Sequence, residues 1–199
     1  MTRKPARTRL SPNDRRAQLV ATAVACFADH GIARATQAQV AQRAGVSVSA
    51  VYSYFRTRAD LVDAVLDNVA ETIVAMVEDA VAAPGGPAEV LTALATRTAD
   101  MAVAEPDSVR VWLDWSTGVR ADVWPRFLVL QRRLHGLVES VLVRGGDPAA
   151  APAITSAARL FVGGAHTLAL TRFEKVSEAE LGIFIDQMVC GVVAVLPKA

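Results

Sequence analysis

The chain has 199 residues, enough to bury a sizeable core, and 52% of them are hydrophobic; the excess is largely Ala and Val, and no charge-free apolar run reaches the ~18 residues that a membrane span needs. Its basic start lacks the apolar stretch of a secretory signal, so the expected compartment is the cytoplasm. A formal net charge of +1 conceals a polarity, because residues 1–58 carry ten Lys/Arg against Asp14 and Asp29, a net of +8, while the remainder carries −7; this is the footprint of a chain with one end on phosphate and the other kept off it.

Helical spacing dominates and strand signal is almost absent, so an all-α fold of about nine helices is expected. The opening segment, with Arg3, Lys4, Arg7 and Arg9, is too polar to fold alone. Ser11-Pro12-Asn13-Asp14 starts the first helix, with Ser11 as cap, Pro12 at the first position and Asp14 closing a capping box. Val20, Val24 and Phe27 then recur at helical spacing until Gly31 stops the helix after His30. Residues Gln37 to Phe55, QAQVAQRAGVSVSAVYSYF, read as a helix-turn-helix. Ala41 lets the second helix approach, Gly45 supplies the positive φ of the turn, and Val51 packs back beneath Ala41. Ser47 stands at the N-cap of the second helix, which runs to Tyr54 and is the candidate reading element. A fourth helix over 57–83 spaces Leu61, Val65, Val69, Ile73 and Val77 four apart and ends at Pro84-Gly85-Gly86-Pro87. Five more are expected over 87–104, 107–117, 122–144, 151–172 and 177–196. The domain division that follows is a basic head over 1–56 and a helical body over 57–199.

In the body, Trp112, Trp115, Trp124 and Phe127 cluster in a chain only 6% aromatic, with Gln131 one turn beyond. They fit either a packed core or the lining of a cavity. The last helix spaces Leu181, Ile185, Met188, Val192 and Val195 in steps of four and three, and the preceding helix carries Gly163-Gly164-Ala165, which permits close backbone approach. Both stripes fit either the protomer core or a partner's surface. His166, beside Gly164 and Ala165, fits the cavity or the seam. Catalysis is disfavoured: His30, His135 and His166 have no H-x-x-x-H spacing and no evident nucleophile, and there is no C-x-x-C, P-loop or glycine-rich dinucleotide turn. No metal or cofactor is expected, and Cys26 and Cys190 read as buried reduced thiols. A helical ligand-binding module without operator function is the other alternative.

The segment CFADHGIARAT followed by QVAQRAGVSVSAVYSYFRTRADLVDAVL resembles the N-terminal domain of the tetracycline-repressor-like (TetR) regulators, with their F-x-x-x-G, A-x-x-A-G-V-S and Y-x-Y-F pattern. RTRLSP and VWLDWSTGVRADVWPRF extend the likeness over nearly the whole chain to the LuxR/HapR branch of quorum-sensing master regulators. That branch carries Phe and Asn where this chain has Tyr52 and Ser53.

The resemblance implies a homodimeric transcription regulator of the repressor fold that binds a double-stranded DNA operator. Ser47 to Tyr54 would lie in the major groove, where Ser49 and Ser53 meet base edges and Val48 and Ala50 touch thymine methyls. Tyr52 and Tyr54 would bond phosphates, Thr36 and Gln37 would offer the start of the preceding helix to another, and Arg58 would clamp the backbone. Arg7 and Arg9 would enter the minor groove. A small apolar or amphipathic effector would sit among Ile73, Val77, Trp112, Trp115, Phe127, Gln131, Ala165 and His166. The dimer seam would use Gly163, Gly164, Leu181, Phe184, Ile185, Met188 and Val192.

Overall fold

The computed structural model describes residues 11–119, 122–145 and 151–194. Among them are nine α-helices, one short 3-10 turn and no strand. The chain divides into two units, one ending at Asn68 and the other beginning at Val69. Arg7, Arg9 and Val195 lie outside the described residues.

The first unit holds α1 (Pro12–His30), α2 (Gln37–Ala44), α3 (Val48–Tyr54) and the opening turns of α4 (Arg58–Val81). Hydroxyl caps set each helix start. The Asp14 amide donates to Ser11 Oγ at 3.1 Å, but the Asp14 carboxylate accepts the Ser11 hydroxyl at 2.7 Å, so the expected box lacks its return bond to the Ser11 backbone. Thr36 makes a complete box with Gln39, and Ser47 Oγ accepts the Ala50 amide at 3.2 Å. Thr57 and Asp60 cap α4 reciprocally, at 3.0 and 2.9 Å. Each such cap contributes roughly 0.5–2 kcal/mol.

Gly45 sits at φ 65°, ψ 35° between α2 and α3, and a Cβ placed there would meet nothing within 4 Å. The backbone conformation, rather than crowding, is what calls for glycine at this turn. Ala41 and Val51 are both buried at the α2–α3 contact, and Leu19, Val24, Phe27, Val40, Phe55 and Leu61 are among the other buried side chains of this unit. The Arg16 guanidinium lies over the Phe55 ring, 5.4 Å from its centroid, and so closes that core from the solvent side by a cation–π contact.

The division falls inside α4, and two tethers hold the start of this helix within the head. Gln37 Nε2 donates to the carbonyls of Phe55 at 2.6 Å and Thr57 at 3.3 Å. Arg58 donates through Nε to the Ala35 carbonyl at 3.0 Å and through Nη2 to that of Ile32. The first turn of α4 is thereby fastened to the entry of α2.

The second unit continues α4 and adds α5 (Pro87–Ala104), α6 (Pro106–Thr117), α7 (Trp124–Leu142), the 3-10 turn (Val143–Gly145), α8 (Ala151–Glu174) and α9 (Glu178–Ala194). Proline occupies one of the first two positions of α5, α6 and α7, where its missing N–H leaves no unmet bond. Helix α8 is central and packs on α5, α7 and α9. No helix among the described residues is long and apolar enough to cross a membrane.

Candidate nucleic-acid interface and effector cavity

Helix α3 separates its residues by face. Val51 is buried against α2, whereas Val48 and Tyr52 are 43% and 47% exposed; Ser49 and Ser53 are exposed beside them, and Ala50 and Tyr54 are half-buried. Large apolar and aromatic side chains left open on one short helix need a reason, and a groove floor of methyls and base edges supplies one. The Ser53 hydroxyl donates to the Ala50 carbonyl at 2.7 Å, so its oxygen is left to accept from a base. Ser49 and Ser47 share a hydrogen bond of 2.9 Å.

Three residues expected at this surface have other work. Gln37 is buried, and its amide bonds the carbonyls that follow α3; its side chain is therefore a tie within the head, and only the backbone start of α2 remains for the phosphate expected there. The Arg58 guanidinium donates two of its N–H groups to the Ala35 and Ile32 carbonyls, so it braces the loop before α2. The Thr36 hydroxyl is occupied by the capping box with Gln39. Sequence reasoning counted Arg56 only as charge, yet this side chain is exposed immediately after α3. Its place directly after Y-x-Y-F was the available signal.

In the second unit, the expected ligand residues separate into two places. Ile73, Val77, Trp112 and Ala165 line a narrow apolar cavity of about 40 Å³. Met76, Leu94, Met101, Leu134, Val138 and Phe161 complete much of its wall; sequence periodicity marked several helices as apolar but not which side chains leave a gap. Phe127, Gln131 and His166 instead line an open cleft with Trp124, His135 and Arg159. Trp115 lines neither. It is fully buried with its indole N–H donated to the Val123 carbonyl at 2.9 Å, and its ring packs edge-on against Phe127, so it is core.

The residues expected at the dimer seam differ in exposure. Leu181, Ile185 and Val192 are buried within the protomer, and a Cβ on Gly164 would lie 3.0 Å from Met188 Cγ. These residues join α9 to α8 in one chain. The outward faces carry Leu160, Leu170 and Ile183, which are 54%, 48% and 57% exposed, together with Gly163. Phe184 and Met188 are half-buried. Cys26 is buried as expected, but Cys190 is exposed, because it lies on the outward side of α9 away from Ile185 and Val192.

Burial lowers the pKa of His166, opposed by its bond to the Val162 carbonyl, and so favours the neutral ring. His135 is lowered first by desolvation and then by the nearby Arg159 charge. Among the described residues no three His, Cys, Asp or Glu side chains converge to hold a metal.

Residues 19–65 match the family described as bacterial regulatory proteins of the TetR family. Over 181 residues the chain is 32% identical to the HTH-type transcriptional regulator LuxR of Vibrio harveyi, an alignment covering 89% of this chain and 88% of that one. A transcriptional regulator from Rhodococcus sp. RHA1 shares the fold with a TM-score of 0.77 at 20% identity, over 91% of this chain and 97% of the other. The transcriptional regulator FadR of Bacillus subtilis, solved in complex with stearoyl-CoA, does so with a TM-score of 0.72 at 13% identity, over 91% and 99%. The protein is thus a transcriptional regulator and not an enzyme, and it belongs to the TetR family in its LuxR/HapR branch.

Proposed function

We propose that the protein binds a two-fold symmetric DNA operator as a homodimer, with α3 of each protomer in the major groove, and that a small molecule held by the second unit changes this binding. The observation that carries the DNA reading is the outward row Val48, Ser49, Tyr52 and Ser53 on a helix anchored from behind by Val51. The row contains no Arg, Asn or Gln for bidentate base recognition, so discrimination rests on methyl contacts, single hydroxyl bonds and duplex shape. Arg56, exposed just after α3, supplies a phosphate contact, while two of the Arg58 donors hold the loop before α2. Arg7 and Arg9 enter the adjacent minor groove, a role supported by the charge of that segment.

One seven-residue helix touches too few base pairs to find a site, and pairing two heads supplies the remainder. The exposed apolar residues Leu160, Leu170 and Ile183 support a seam in which α8 and α9 of two copies form a four-helix bundle. The apolar cavity supports an effector with an apolar body, and the stearoyl-CoA of the Bacillus subtilis neighbour is in keeping with this. The likeness to LuxR supports a place in a quorum-sensing circuit in the cytoplasm.

Selection of bound duplexes from a random library, followed by titration of the winner against salt, tests the reading. The expected result is a palindromic site whose affinity falls steeply with salt for a dimeric protein. Monomeric protein with salt-insensitive attachment to every duplex overturns it.

A further inference from the structure

We infer that the effector site has a second compartment beside the apolar cavity, built around Gln131 and His166, which selects an uncharged hydrogen-bond-donating head such as an alcohol or primary amide. This rests on the effector reading above and adds the chemical class of the ligand.

The cavity and the open cleft share one wall. Val162 lines both, and the Trp112 ring on the cavity side packs against the His166 ring on the cleft side with centroids 4.0 Å apart and planes at 32°. Four buried side-chain polar atoms among the described residues lack a partner, and three of them lie on the residues of this wall and its cleft: Trp112 Nε1, Gln131 Oε1 and His166 Nε2. An orphaned buried polar atom is costly, roughly 1–3 kcal/mol each, and three together are seldom left in a fold without a ligand or water to meet them. The contrast with Trp115, whose indole is satisfied by Val123, shows that this fold does supply partners to buried indoles elsewhere.

The polarity of the three atoms defines what they can receive. His166 Nδ1 lies 3.0 Å from the Val162 carbonyl; a carbonyl only accepts, so Nδ1 carries the proton and Nε2 presents a bare lone pair. Gln131 Oε1 is a second acceptor, and Trp112 Nε1 is a donor. A hydroxyl or amide can donate to one of the acceptors and accept from the indole. A carboxylate brings only lone pairs, so even where it pairs with Arg159 of the same cleft it leaves both acceptors orphaned. An ammonium would have to sit in a cleft that Arg159 also lines. The neutral head is the one that fits, with its apolar chain directed along Val162 into the cavity.

The test uses full-length protein and three probes that differ only in the head: 1-octanol, octanoate and octylammonium, each below its micellar concentration, with binding read by calorimetry and by the fluorescence of the tryptophans near the site. Octanol is expected to bind about tenfold more tightly than either ion, and Gln131→Leu and His166→Phe are each expected to shrink that margin several-fold. Equal affinities, a preference for either ion, or a margin unchanged in both variants overturns the inference while leaving an effector cavity in place. Failure of all three probes to bind a protein that still dimerises and binds operator removes the effector reading itself. The comparison of heads on the unaltered protein decides the matter even if a variant does not fold.

Discussion

The side-chain amide of Gln37, at the start of α2, donates to the carbonyl of Phe55, at the end of α3, across 2.6 Å. Two helices joined by a glycine turn are thereby closed into a loop at their far ends. Gln37→Leu leaves the Phe55 carbonyl buried without this donor and is expected to lower stability by about 1–3 kcal/mol, measured by urea unfolding. Operator affinity of the folded fraction should stay within a few-fold. Tyr52→Ala should do the reverse, with unfolding little changed and operator affinity lost.

Arg56 and Arg58 stand two residues apart and are expected to respond oppositely to removal. Arg56→Ala should weaken operator binding and reduce the slope of log affinity against log salt by about one, with stability nearly unchanged. Arg58→Ala releases the Ala35 and Ile32 carbonyls and should appear first as a lower melting temperature. A gel-shift salt series run beside thermal unfolding checks both.

The two sides of α9 make a third contrast. Ile183→Glu together with Leu160→Glu places charge on exposed positions and should convert dimer to monomer in sedimentation experiments, with loss of operator affinity and little change in helical content. Ile185→Ala removes a buried side chain and should cost about 2–5 kcal/mol of fold stability, whatever the oligomeric state.

Histidine burial sets a pH dependence. The folded pKa of His166 lies below its ordinary 6.5, so below that pH the unfolded chain binds more protons than the folded one. Stability is therefore undiminished above about 6.5 and falls as the pH drops through and below it, by at most ~1.4 kcal/mol per pH unit for one such group. His135 is shifted in the same direction, with Arg159 adding to burial and Glu139 opposing it. His166→Phe should thus flatten, without abolishing, the decline in melting temperature between about pH 7 and pH 5.

Helix starts and the turn were legible because they depend on local chemistry. Ser11, Ser47, Pro12, Gly31 and Gly45 act on backbone within a few residues of themselves, and sequence contains that information directly. The Gln37 tie is not legible in the sequence, because only the return of the chain eighteen residues later brings a buried carbonyl to its side chain. Leu181 and Ile185 were assigned to the seam, while Leu160 and Ile183 went unremarked, for a related reason. Helical spacing groups residues by face but does not say whether the neighbour covering that face belongs to the same chain. The aromatic run is legible as a cluster, but whether each ring meets cavity, core or cleft depends on distant partners, His166 for Trp112 and Val123 and Phe127 for Trp115, which spacing does not contain.

On α3, the side chain that fastens the helix from behind, Val51, is not among those it holds outward: Val48, Ser49, Tyr52 and Ser53. Mutation in the outer set therefore meets little opposition from folding, and duplicated copies of such a gene are free to drift toward new promoters while the scaffold stays intact. Tyr52 and Ser53, where the LuxR/HapR branch carries Phe and Asn, are positions at which that drift has room to occur.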